Sequence, residues 1–177
     1  MPALAHAHPG HATSSVAHGF SHPLSGIDHF LAMLAVGLWA GQLGGRARWQ
    51  VPVAFLVVML AGGILGMGGT SVPGVEQGIL ASILVLGVLV AAAIRLPLVI
   101  SIAMVGMFAF FHGAAHGTEM PVSATGLSYS VGFTIATAML HLTGLGIGVI
   151  AELSHQARFV RIAGGAIAIC ALMIAVS

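Results

Sequence analysis

Residues 22–33 read "HPLSGIDHFLAM" and run straight into "LAVGLWA" at residues 34–40, as apolar a stretch as a membrane helix contains. Two histidines and an aspartate thus stand at the mouth of a helix suited to lipid. Composition decides whether that helix belongs to a membrane protein. The chain has 177 residues, 58% hydrophobic and 5% charged, and a mean hydropathy of +1.08, whereas soluble domains carry about a quarter charged residues. Four acids and five arginines cannot cover the surface of a soluble domain of this length, so the apolar exterior must face lipid.

The same composition excludes several function classes. Lysine is absent, so no Walker lysine can hold a nucleotide and the chain is not by itself an ATP-driven pump. The single cysteine, Cys170, rules out an internal disulfide and a multi-cysteine metal site, and it reads as a small core residue. Nothing calls for a nucleic acid. What stands out is ten histidines against nine formal charges.

Apolar stretches of about 20 residues predict six helices, at 23–43, 49–67, 75–94, 97–117, 125–153 and 158–176. Pro23, Pro52 and Pro97 are expected in first turns, and Gly44-Gly45 and Gly68-Gly69 as stops. The long fifth span is expected to tilt or break near Gly144, Gly146 and Gly148. Small residues recur at four-residue spacing, as Gly37/Gly41, Gly62/Gly66, Gly113/Gly117 and Gly144/Gly148, and would let helices approach closely. Arg46, Arg48, Arg95, Arg158 and Arg161 all fall on one side of a six-helix serpentine, which the positive-inside rule makes cytoplasmic. The expected fold class is therefore an all-α integral membrane protein, a bundle of six transmembrane helices with both termini periplasmic.

Residues 1–21 are read as a signal-peptide remnant, with a small-x-small box at Ala5-His6-Ala7, followed by a flexible periplasmic tail carrying His8, His11 and His18. Whether those histidines take part in metal capture is open. Residues 22–177 are expected to form a single six-helix transmembrane domain.

Ionisable groups inside a bilayer cost about 2.5–3.5 kcal/mol each at a helix centre, so their positions carry function. In "FFHGAAHGTEMP", His112, His116 and Glu119 stand at i, i+4 and i+7 and share one narrow stripe of the fourth helix. The first helix begins at the same end with His22, Asp28 and His29. His22 and His29 are seven residues apart and are expected on one face. Asp28 points away from His29 and would serve as a ligand at a helix boundary or as the carboxylate that accepts the second ring N–H of a histidine. Glu76 opens the third helix, again at that end. These seven groups, from the first, third and fourth helices, suit divalent nickel, cobalt or zinc, and the lack of thiolates argues against copper(I). Deeper in, His141 is a candidate second station. Glu152 and His155 pair most simply with Arg158, and Met33, Met104, Met107 and Met139 read as core filling.

Two of these stretches, "HPLSGIDHFLAMLAVGLWA" and "FHGAAHGTEMP", resemble the paired signature motifs of the HupE/UreJ family of nickel permeases, and the likeness extends through "ATAMLHLTGLGIG" to cover residues 22–177. The resemblance implies uptake of Ni2+, in some members Co2+, across the bacterial inner membrane, supplying hydrogenase or urease maturation. It also implies that His22, Asp28 and His29 match the first motif and His116 with Glu119 the second, while Glu76 and Phe55 stand at family-typical places. Phe55 joins His141 as a candidate for the translocation path. No prosthetic group is expected. The metal is cargo, the partners are a divalent metal ion and membrane lipid, and a homo-oligomer is left open.

Other functions fit parts of the pattern. An intramembrane zinc-dependent hydrolase would use a His/Asp cluster with one open position, aided by Ser25, Thr118 or Glu119. A bis-histidine haem protein would show a Soret band, and a metal sensor or chaperone would need only the site. The leading expectation is a secondary permease or channel-like facilitator, not an enzyme.

Overall fold

The computed structural model describes residues 11–120 and 125–176, with side chains from Ser15 onward. The Ala5-His6-Ala7 box, His8, the side chain of His11 and Ser177 lie outside the described residues. Within them every regular element is an α-helix: α1 (His11–Ser25), α2 (Ile27–Leu43), α3 (Ala47–Met67), α4 (Val75–Ala92), α5 (Leu98–Glu119), α6 (Gly126–Leu153) and α7 (Ala157–Ala175). Five of these, α3 to α7, are long and apolar enough to cross a membrane, and α1 with α2 makes a sixth span if the bent pair is counted as one. Large apolar side chains such as Val57, Ile64, Val99, Leu142, Ile150 and Ile162 stay exposed on the outside of the bundle, as a membrane-embedded protein requires.

The first predicted helix is the one that differs. It is two helices, bent by 81°, and Pro23 lies inside α1 rather than in a first turn. Proline lacks the N–H that would continue the helical ladder, and Gly26, at φ −87° and ψ 114°, leaves the helical region altogether. The Gly26 carbonyl then accepts the Phe30 N–H at 2.9 Å and starts α2.

Residues 11–21, expected as part of a flexible tail, belong to α1, which packs along α6. Small residues permit that contact. A methyl group at Gly19 would run into the Tyr129 carbonyl, and one at Gly132 into the Val16 carbonyl. The Thr125 N–H also donates to Ser15 Oγ at 3.3 Å. His18 sits exposed on this helix.

The four glycine pairs resolve into two reciprocal crossings. Gly37 and Gly41 of α2 face Gly144 and Gly148 of α6, and Gly62 and Gly66 of α3 face Gly113 and Gly117 of α5. A side chain at Gly113 would strike the Met59 carbonyl, so the small residues are what hold α3 against α5. α6 runs unbroken through this stretch, with Gly144 and Gly148 packed against α2 and Gly146 facing open space.

At the end of the bundle that carries the arginines, carbonyls in the last turn of α4 and just beyond it accept side-chain donors from two neighbouring helices. Trp39 Nε1–H donates to the Ile94 carbonyl at 2.9 Å, Gln42 Nε2–H to that of Val90 at 3.1 Å, and Arg161 Nε–H to that of Ala91 at 2.9 Å. Glu152 pairs with Arg95 at 3.8 Å rather than with Arg158. Arg158 instead lies over the Phe159 ring, 4.9 Å from its centroid. The reason is positional: His155 turns the chain at φ 56°, and α7 carries Arg158 onto its own face. Cys170 is half-buried on α7 rather than in the core. Met33 fills the core as expected, whereas Met107 and Met139 face outward.

Candidate metal centre

The helical period of α5 aligns His112 and His116 on one face, while Gly113 and Gly117, one position on, press against α3. The bend at Gly26 brings two further histidines to that face from different helices, His22 from α1 and His29 from α2. They do not share a helix face, as a continuous helix would require, yet both reach His116. The ring centroids of His22 and His116 are 4.7 Å apart, those of His29 and His116 4.1 Å, and those of His29 and His112 4.7 Å.

Among the described residues, two three-ligand groups result. One ring nitrogen from each of His29, His112 and His116 lies within 4.8 Å of the others, and so do ligand atoms of His22, His116 and Glu119. An ion centred in such a triangle would be at most about 2.8 Å from each nitrogen, against about 2.0–2.1 Å for a metal–imidazole bond. The first group is deeply buried, and the second is partly open, with His22 half-buried and Glu119 exposed. His116 belongs to both.

The carboxylates differ in what they touch. Asp28 Oδ1 accepts the His29 backbone N–H at 2.8 Å and its Nδ1–H at 2.9 Å. This leaves His29 Nε2 buried with no hydrogen-bond partner. His22 Nε2–H donates to Glu119 Oε2 at 3.1 Å, and His116 Nδ1 lies 3.6 Å from the same oxygen. Glu76 is exposed and joins neither group. It instead lines a cavity of about 630 Å³ together with Asp28, His29, Thr118 and Glu119.

Beyond the buried group lies an aromatic ring and then another histidine. The Phe55 ring is 5.7 Å from that of His112 and 5.0 Å, edge to face, from that of His141. His141 is 1% exposed and neither of its nitrogens has a hydrogen-bond partner.

Several residues around the site went unremarked in the sequence. Ser82 of α4, fully buried, has Oγ 2.9 Å from His112 Nε2. Its depth was the available signal, since Ser82 lies about two turns from the start of α4 and His112 about two turns from the end of α5, at the same end of the bundle. Phe133 packs its ring 4.0 Å from that of His116, with Tyr129 stacked on Phe133. Thr137, one turn from His141, is buried with its hydroxyl unpartnered.

Comparison with known proteins adds to this geometry. The family described as HupE / UreJ protein matches residues 1–174. Protein HupE of Rhizobium leguminosarum bv. viciae is 44% identical over 170 residues, a match that covers 96% of this chain and 88% of that protein. No solved structure matches.

Proposed function

The chain belongs to the HupE/UreJ family, and from that premise we propose that it carries Ni2+, with Co2+ as a second cargo, inward across the bacterial inner membrane. The observation that carries the reading is the buried group of His29, His112 and His116, delivered by two helices at membrane depth. Neutral imidazoles in a thiolate-free site suit nickel, cobalt or zinc.

Entry begins at the carboxylates. Asp28, Glu76 and Glu119 line the open cavity and draw cations toward it. His22, His116 and Glu119 take the ion first. His116 then hands it to His29 and His112, because a neutral imidazole has a single lone pair for one ion at a time. Phe55 separates this group from His141, which receives the ion on its way in. The arginines at the opposite end orient the bundle with that end in the cytoplasm and both termini in the periplasm. In this topology α1 and α2 form one bent span of six. The chain catalyses no reaction and serves as a secondary permease or facilitator, feeding metal to hydrogenase or urease maturation.

The cavity beside the histidines favours one second reading, a zinc-dependent hydrolase whose substrate would occupy it. Uptake of radiolabelled Ni2+, Co2+ and Zn2+ into proteoliposomes, with and without a proton gradient, separates the two. The permease reading expects Ni2+ accumulation that is lost in His116→Ala. Binding without uptake under both conditions would reject it. A reporter inserted after Arg48 should read as cytoplasmic and one fused after Ser177 as periplasmic, and both on one side would remove the six-span topology.

A further inference from the structure

Ser82 sits in an apolar run of α4 with its side chain wholly buried, and its single hydroxyl proton has two neighbours to choose between. Oγ is 2.6 Å from the Ile79 carbonyl oxygen, one turn back, and 2.9 Å from His112 Nε2. A carbonyl oxygen can only accept, so a contact of 2.6 Å between it and the hydroxyl oxygen requires the proton to lie between them. With that proton committed, the remaining lone pairs of Oγ can only accept. The contact to His112 must then be donated by the ring, which places the ring proton on Nε2. A neutral imidazole carries one ring proton, so His112 Nδ1 holds a lone pair, and Nδ1 is a buried atom with no hydrogen-bond partner.

We infer that Ser82 is a positioning residue for the metal site: by accepting Nε2–H it fixes the tautomer of His112 and presents the Nδ1 lone pair to the ion shared with His29 and His116. This rests on the reading of those three histidines as a metal site. Asp28 does the converse for His29, taking Nδ1–H and leaving Nε2 free. The two histidines are thus held in opposite tautomers, His29 ligating through Nε2 and His112 through Nδ1. Without a partner at Nε2, His112 would also populate the tautomer that points an N–H at the ion, where it cannot ligate.

The tautomer can be read without metal. In metal-free, detergent-purified protein labelled with 15N-histidine, long-range 1H–15N correlation should show His112, assigned by its loss in His112→Ala, protonated at Nε2 alone. Ser82→Ala should give an averaged pattern of both tautomers, and Ser82→Thr, which keeps the hydroxyl, should restore the wild-type one. Ni2+ affinity should fall about 10- to 100-fold in Ser82→Ala, the usual size of such outer-shell losses, and recover in Ser82→Thr. A wild-type His112 protonated at Nδ1, or a pattern unchanged by Ser82→Ala, overturns the inference even if Ni2+ binds. The expected tautomers with no Ni2+ binding by the wild type overturn the metal reading instead, so the two failures are distinguishable.

Discussion

The two ends of the histidine column bury imidazole in opposite ways. His29 and His112 each have one nitrogen engaged, by Asp28 and Ser82, and the other without a hydrogen-bond partner. His141, on the far side of Phe55, has neither nitrogen engaged and an aromatic edge for company. A buried polar group without a partner costs about 1–3 kcal/mol, and His141 bears that cost twice over at full burial. His116, like His141, has no hydrogen-bond partner at either nitrogen, but it stands among the other histidines whereas His141 stands alone behind Phe55, and in the proposed permease that isolation makes His141 a place where the ion passes rather than one where it is held. Holding needs several fixed lone pairs at once, whereas passage needs one polar group that binds weakly enough to let go.

The largest expected effect is at the holding site. His29→Ala and His116→Ala should each reduce Ni2+ binding by more than about 100-fold, beyond the loss typical of an outer-shell group. The double variant should be little worse than either single one, because either loss already breaks the common coordination sphere. Isothermal titration on detergent-purified variants of matched thermal stability measures this, and additive losses would mean separate sites. Asp28→Ala should cost less, about 10- to 100-fold, because it removes the acceptor that orients His29 rather than a lone pair of the central group. A loss equal to that of His29→Ala would make Asp28 a ligand.

The comparison is tested most directly by His141→Phe, which keeps a ring in the slot. Equilibrium Ni2+ binding should stay within about twofold, while the uptake rate should drop about tenfold, as a barrier raised by only about 1.4 kcal/mol would produce. Equal losses in binding and uptake would place His141 in the holding site and erase the distinction between the two ends.

How far the sequence carries toward this arrangement depends on which kind of information each part needs. The stripe of His112, His116 and Glu119 is legible because one helix's period generates it, and the glycine pairs are legible for the same reason. The bend is not: a proline in the first turn of a predicted helix and a proline just before a break leave the same local trace, and only the extended Gly26 distinguishes them. The helix α1 escapes an apolar scan because His, Ser and Thr dilute it, and its docking depends on Gly132, far along the chain. Ser82 escapes because one hydroxyl in an apolar run has no period at all. Its meaning comes entirely from His112 on another helix. Glu76 is the reverse case, correctly placed at the right end yet lining the cavity rather than joining the trio.

The smallest expected effect belongs to Met107, and it bounds the whole comparison. Met107 lies on α5 just over one turn from His112, close enough in sequence for a thioether to be considered a soft donor. Its side chain faces the other way, 53% exposed on the outer surface of the bundle, where Gly113 and the histidine face cannot be reached without rotating the helix. Met107→Leu keeps both volume and apolarity, so it should cost less than about 1.5 kcal/mol of stability and leave Ni2+ titration and uptake unchanged. A measurable fall in affinity would mean that α5 turns in the membrane to bring that thioether inward, and the holding site would then be a mixed nitrogen and sulfur site rather than one built from imidazole alone.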